Sequence, residues 1–127
     1  MKEECTLKIY PHEHLLGTEG LLPNEINYLL NLSSYFVNHL KQDKKKKFGH
    51  LKNKICINLF FENSTRTRTS FELAGKKLSA DILNIAVGAS SIKKGETMID
   101  TAMTLNAMQP DIIVVRHYDA GAVKLLS

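Results

Sequence analysis

Apolar positions along this chain follow two rhythms, and the two separate helices from strands. After Pro23-Asn24, the residues Ile26, Leu29, Leu30, Leu32, Tyr35, Phe36 and Leu40 recur at helical spacing and gather on one face. Asn24 is predicted to cap that helix, because its side-chain oxygen can accept from an unpaired amide of the first turn. The run Lys44-Lys45-Lys46-Lys47 ends it. Residues 55–61, Ile-Cys-Ile-Asn-Leu-Phe-Phe, then read as a buried strand. A polar segment over 62–69 opens a helix that runs to about Leu78. Residues 81–86 read as a second strand and 87–94 as a polar loop. A second amphipathic pattern spans 96–108, with Met98, Ile99, Ala102, Met103, Leu105 and Met108. Residues 111–117, Asp-Ile-Ile-Val-Val-Arg-His, give the clearest strand, and a last helix starts near Ala120. Residues 1–20 are irregular.

Strands alternating with helices at this spacing predict an α/β fold, a parallel β-sheet flanked by helices on both faces. Ligands of such sheets bind at the carboxyl ends of the strands. Three polar segments should therefore meet: the one after Phe61, the one after Ala86, and Arg116-His117.

Composition narrows the classes without changing that picture. A chain of 127 residues has room for one domain with a real core. Seventeen Lys+Arg against thirteen Asp+Glu give a net charge of +4. Much of the excess lies in the lysine run with Lys41, Lys52 and Lys54, where it reads as solvated loop. No aromatic residues interleave with it as in a single-strand binder, so nucleic acid is not the expected partner. Cys5 and Cys56 match no metal or redox spacing, and Cys56 sits in an apolar run as a small core residue. His12 and His14 form a His-x-His pair without further ligands, so no metal is expected. The amino terminus has no signal-like apolar segment, and no stretch is long and apolar enough for a membrane span. The expected compartment is the cytoplasm.

The three strand ends carry the candidate chemistry. Ser64-Thr65-Arg66-Thr67-Arg68-Thr69-Ser70 places five hydroxyls and two guanidinium groups at a helix start. Unpaired amides and the positive end of the helix dipole favour an anion there. Arginine offers a planar fork of donors matched to phosphoryl oxygens. A lone Ser-Thr pair would read as a simple cap, but this density after a buried strand favours a phosphate site. The second edge carries Ser90-Ser91-Ile92-Lys93-Lys94-Gly95-Glu96-Thr97, and the third Arg116 and His117. A lone loop lysine is usually a solvated charge; together the edges make a cationic, hydroxyl-rich pocket for a small phosphorylated molecule. With neither a Walker-type loop nor a dinucleotide fingerprint, a nucleotide is disfavoured.

Phe60-Phe61-Glu62-Asn63-Ser64-Thr65-Arg66-Thr67-Arg68-Thr69-Ser70-Phe71-Glu72 resembles the carbamoyl-phosphate signature of the aspartate and ornithine carbamoyltransferases. Lys93-Lys94-Gly95-Glu96-Thr97 and Val114-Val115-Arg116-His117, followed by Gly121-Ala122, resemble the aspartate branch, and His14-Leu15-Leu16-Gly17 before the first helix resembles the opening of bacterial members. The resemblance covers essentially the whole chain. It implies an enzyme without cofactor, moving the carbamoyl group of carbamoyl phosphate to the amine of L-aspartate in an early step of pyrimidine biosynthesis. It further implies that Ser64, Thr65, Arg66 and Thr67 bind the phosphate, with Arg66 stabilising the leaving group, and that Thr67 and Arg116 polarise the carbamoyl oxygen. Ser90 and Lys94 would reach into a neighbouring subunit's site, Lys94 toward aspartate, in a homotrimer with shared active sites. Glu62 would pair with arginines of an aspartate domain, whereas Arg68 and Glu72 look structural. Tyr118 departs from the family, where a proline is common.

Family members are much longer and continue into a His-Pro-x-Gln motif and an aspartate-binding domain. Residues 1–127 are accordingly expected to be the carbamoyl-phosphate-binding domain of such an enzyme, inactive by itself, with helix faces exposed where the second half would pack. The alternatives are a stand-alone carbamoyl-phosphate-binding or phosphate-binding module without transferase activity, and a basic protein binding nucleic acid through its lysine run.

Overall fold

The computed structural model describes residues 10–88 and 97–127. The chain divides into two compact units, Met1–Lys46 and Lys47–Ser127.

In the first unit, helix α1 (Pro23–Gln42) is capped at Leu22, two residues earlier than Asn24. The reason is Pro23, whose fixed φ suits the first helical position and whose missing N–H loses nothing there. Asn24 then lies inside the first turn. The polar partner at this end is Glu25, which accepts the Leu22 amide at 2.8 Å and contacts His12 Nε2 at 3.0 Å. The Leu22 amide, then the His12 ring, hold the buried Glu25 carboxyl below the usual carboxylate range. His12 thus joins a helix cap, and no group of three metal-ligating side chains occurs among the described residues.

The second unit is built on strands β1 (Ile55–Phe60), β2 (Asp81–Ala86) and β3 (Ile112–Arg116), all parallel, in the order β2-β1-β3. Three further helices join them: α2 (Thr65–Lys77), α3 (Met98–Ala107) and α4 (Ala122–Leu126). The strands end within a residue or so of the expected limits. As the centre strand, β1 is buried from Cys56 to Phe60, while β2 and β3 at the edges have only half-buried and exposed positions. This is why 55–61 reads as an apolar run interrupted by Asn58 alone.

Side chains divide between the two faces of the sheet. Ile57 and Leu59, with Ile85 and Val115 beside Leu59, meet Leu105 of α3 and Leu126 of α4. The opposite face receives α2, which packs on β1 and β2. A Cβ at Gly75 would run into Ile82 Cδ1, so glycine there lets α2 close on β2. Thr97, with Asp100, forms a reciprocal cap at the start of α3. On its far side α3 exposes Ile99 and Met103, which are 61% and 69% accessible. No described helix is long and apolar enough to cross a membrane.

Asp111, expected as a strand residue, instead ties the start of the centre strand. Its carboxylate accepts the Ile55 amide at 2.8 Å and the Lys54 ammonium at 3.1 Å. The amide first, then the lysine, lower its pKa from the ordinary aspartate value. The folded carboxyl therefore takes up its proton at lower pH than the unfolded one. Its contribution is complete above about pH 4 and is lost as pH falls through the lowered value. Asp111→Asn is expected to remove that part of the acid-side loss, read as urea midpoints from about pH 3 to 7. An acid limb identical to that of the parent protein would contradict it.

Candidate functional site

The chain leaves β1 toward α2 on one face and leaves β3 toward α4 on the other. A crevice opens between neighbouring parallel strands whose connections diverge in this way. The ladder runs one residue past β1, since the Phe61 amide donates to the Arg116 carbonyl at 2.9 Å. Arg116 is thereby fixed at the crevice, opposite the turn that enters α2.

Ser64 caps α2 in a non-helical conformation (φ −150°, ψ 83°) but makes no side-chain cap to the helix. Its hydroxyl donates instead to Thr67 Oγ1 at 2.8 Å. The amides of the first turn thus lack the acceptor that a capping serine usually supplies, leaving donors and the positive helix end for an anion. Arg116 Nη1 reaches the same Thr67 oxygen at 3.4 Å, and Arg116 Nε donates to Glu62 Oε1 at 2.8 Å. A hydroxyl has two lone pairs and one proton. With both lone pairs engaged, Thr67 has its proton left to offer a ligand.

Beside this network lies a hollow of about 200 Å³ lined by Ser64, Thr65, Arg68, Glu62, Asn63 and Gly88, among others. It is smaller than the usual pocket for a drug-sized ligand, about 300 Å³ upward, and suits a small anion. Arg68 in this lining was not among the expected ligands. Residues four apart share a helix face, and the spacing from Ser64 to Arg68 was the available signal. Arg66 is exposed, and its guanidinium has no partner among the described residues. The structure thus joins Ser64, Thr67 and Arg116 directly, places Thr65 in the adjoining hollow, and leaves Arg66 turned to solvent. Ser90 and Lys94 lie outside the described residues. Glu62, expected to pair with arginines of another domain, pairs here with Arg116.

A larger cavity of about 550 Å³ shares Phe61 and Val87 with the hollow and is bordered by Met98, His117, Tyr118 and Leu125. His117 Nδ1 accepts the Asp119 amide at 2.9 Å, which leaves Nε2 to carry the ring proton. Its ring lies against Phe61 and Tyr118, with centroids 4.6 and 4.4 Å away.

Residues 13–127 match the family model described as aspartate/ornithine carbamoyltransferase, carbamoyl-P binding domain. Among curated proteins, the chain is 56% identical over its whole length to the aspartate carbamoyltransferase catalytic subunits of Brucella ovis and Brucella anthropi. It spans 39% of the length of those relatives. Among solved structures, it resembles the aspartate transcarbamoylase of Trypanosoma cruzi in complex with carbamoyl aspartate and phosphate. The TM-score is 0.76 and the identity 35%, covering 88% of this chain and 34% of the other. The catalytic subunit of M. jannaschii aspartate transcarbamoylase is similar too, with TM-score 0.78 and 34% identity, over 91% of this chain and 37% of the other.

Proposed function

Because the chain belongs to the aspartate/ornithine carbamoyltransferase family, we propose that it supplies the carbamoyl-phosphate half of an aspartate carbamoyltransferase active site. The observation that carries this reading is the Ser64–Thr67–Arg116 network facing an uncapped helix start, beside a hollow sized for a small anion. Residues 1–127 then constitute the carbamoyl-phosphate-binding domain. The phosphoryl oxygens take the first-turn amides of α2 together with Ser64, Thr65 and Thr67, and the exposed Arg66 side chain swings in from solvent to join them. Arg116 and the Thr67 proton address the carbamoyl oxygen.

The reaction asks little more of these residues than placed charge. The amine of L-aspartate attacks the carbamoyl carbon, and negative charge builds on the carbonyl oxygen. As that intermediate collapses, the C–O bond to phosphate breaks and the charge moves to the phosphate, where Arg66 stabilises it. The amine gives up a proton, and the products are N-carbamoyl-L-aspartate and phosphate. Prepositioned donors stabilise such developing charge because they need no reorganisation at the moment of reaction. The Glu62 contact also keeps Arg116 extended across the crevice until an anion arrives.

Ser90 and Lys94 act in the site of a neighbouring subunit, Lys94 toward aspartate, so that the working unit is a homotrimer. The step belongs to pyrimidine biosynthesis in the cytoplasm. A mixing experiment tests the shared site. Arg66→Ala and Lys94→Ala proteins, each nearly inactive, are dissociated together and reassembled. Part of the carbamoyl aspartate formation is expected to return, because some hybrid sites contain neither lesion. If mixing restores nothing while a parent protein taken through the same treatment recovers, the sites are not shared.

A further inference from the structure

Helix α2 delivers the anion-binding residues, yet its sequence TRTRTSFELAGKK offers few apolar anchors, and Phe71 and Leu73 are exposed. Besides the Gly75 contact, polar side chains lie between it and the sheet. Asn58, with no accessible surface at the middle of the centre strand, donates from Nδ2 to Asn84 Oδ1 at 3.0 Å. The Glu72 carboxylate on α2 accepts from Lys76 Nζ at 2.8 Å, and Lys76 first, then Asn84 beside it, hold its pKa below the ordinary glutamate value. The order of donors is fixed from the helix end. An ionised carboxylate only accepts, so Asn84 must turn its amino group to Glu72 and its oxygen to Asn58. Asn58 Oδ1 is then left buried without a partner among the described residues. An orphaned buried acceptor is a standing loss of stability, and leucine would fill the same place without one. Such local violations are expected where function asks for them.

We propose that Asn58, Asn84 and Glu72 are positioning residues that set where α2 sits along the sheet, and so where Ser64 to Thr67 meet the phosphoryl group of carbamoyl phosphate. This rests on the carbamoyl-phosphate reading of the site. Asn84 pairs with Asn58 in register across β1 and β2, so the clamp grips two strands and the helix together. Glu72 lies two turns beyond Ser64, about 12 Å along the helix axis. A slip of α2 there displaces its first turn equally, since a helix moves as a rod. A displacement near 1 Å at a reacting group can lower the rate by about a hundredfold.

The test uses Asn58→Leu, Glu72→Leu and Glu72→Gln, with Arg66→Ala as reference, in the protein as its own gene produces it. Inorganic phosphate binding is followed by titration calorimetry, and KM for carbamoyl phosphate and kcat by assay, alongside Tm. Asn58→Leu is expected to hold or raise Tm, because the exposed Asn84 can turn to water, while weakening phosphate binding about tenfold. KM for carbamoyl phosphate should rise more than kcat falls. Glu72→Leu should follow Asn58→Leu, and Glu72→Gln, which keeps an acceptor for Asn84, should stay near the parent value. A purely structural role would instead lower Tm and leave the phosphate affinity of the folded fraction untouched. Unchanged phosphate affinity in folded Asn58→Leu and Glu72→Leu, with Arg66→Ala still impaired, overturns the clamp alone. Unchanged affinity in Arg66→Ala overturns the anion site and the clamp with it.

Discussion

Arg116→Ala is expected to lower kcat/KM for carbamoyl transfer about a thousandfold, a loss of roughly 4 kcal/mol in transition-state stabilisation. The guanidinium stands at the end of β3, joined to Thr67 and Glu62, with its backbone held by the Phe61 amide. It is therefore an aimed cation, and on the proposed reading its charge would meet the carbonyl oxygen as that oxygen becomes anionic. Removing it should lower kcat along with kcat/KM, because the interaction strengthens as the charge develops. Arg116→Lys should recover little, since one ammonium cannot reproduce a fork that contacts Glu62 through Nε and Thr67 through Nη1. Thr67→Ala removes one hydroxyl and should give a smaller defect. Steady-state kinetics at varied carbamoyl phosphate measure all three. A change in kcat/KM below about tenfold for Arg116→Ala would show that the residue is not the oxyanion partner.

Stability should be most sensitive at the centre strand. Leu59→Ala is expected to cost about 3 kcal/mol, within the range for a leucine truncated in a closed core. Leu59 has no accessible surface and lies between Ile85 and Val115, under Leu105 of α3 and Leu126 of α4. Neighbours on several sides are held by separate elements, so the space left cannot collapse without moving a strand. Ile113→Ala, on a side chain 40% accessible at the sheet edge, should cost less than half as much. Urea unfolding compares the two. The slope with denaturant should stay constant, because the surface exposed on unfolding hardly changes. Equal losses at the two positions would mean that the core is not organised around β1.

Much of this architecture was legible because it depends on local rules. An apolar run bounded by polar turns marks a buried strand, so β1 was visible in full, and the alternation of strands with helices indicated a parallel sheet. The density of donors from Ser64 to Ser70 pointed to an anion site, and the structure joins Ser64 and Thr67 of that cluster to Arg116. Reading of the helix starts failed where two local rules competed. Asn24 is a good cap, but Pro23 one place earlier is a better first residue, and the helix began with the proline.

Which donors meet was not local. Arg116 lies 49 residues beyond Thr67, and only the pairing of β3 beside β1 brings their side chains together. The sheet order β2-β1-β3 decided where the crevice opens, and that order follows from helices covering both faces. Arg68 entered the hollow, and Arg66 turned to solvent, because the rotation of α2 is set by its seat on β1 and β2. Asn58 could have been read as a flaw in an apolar strand; its partner across the sheet, and the helix beyond, give it a role. The sequence by itself determined the elements and the chemistry available to them, because both follow from neighbours in the chain. The tertiary structure decided the company each side chain keeps, because register and packing join residues that the chain holds far apart.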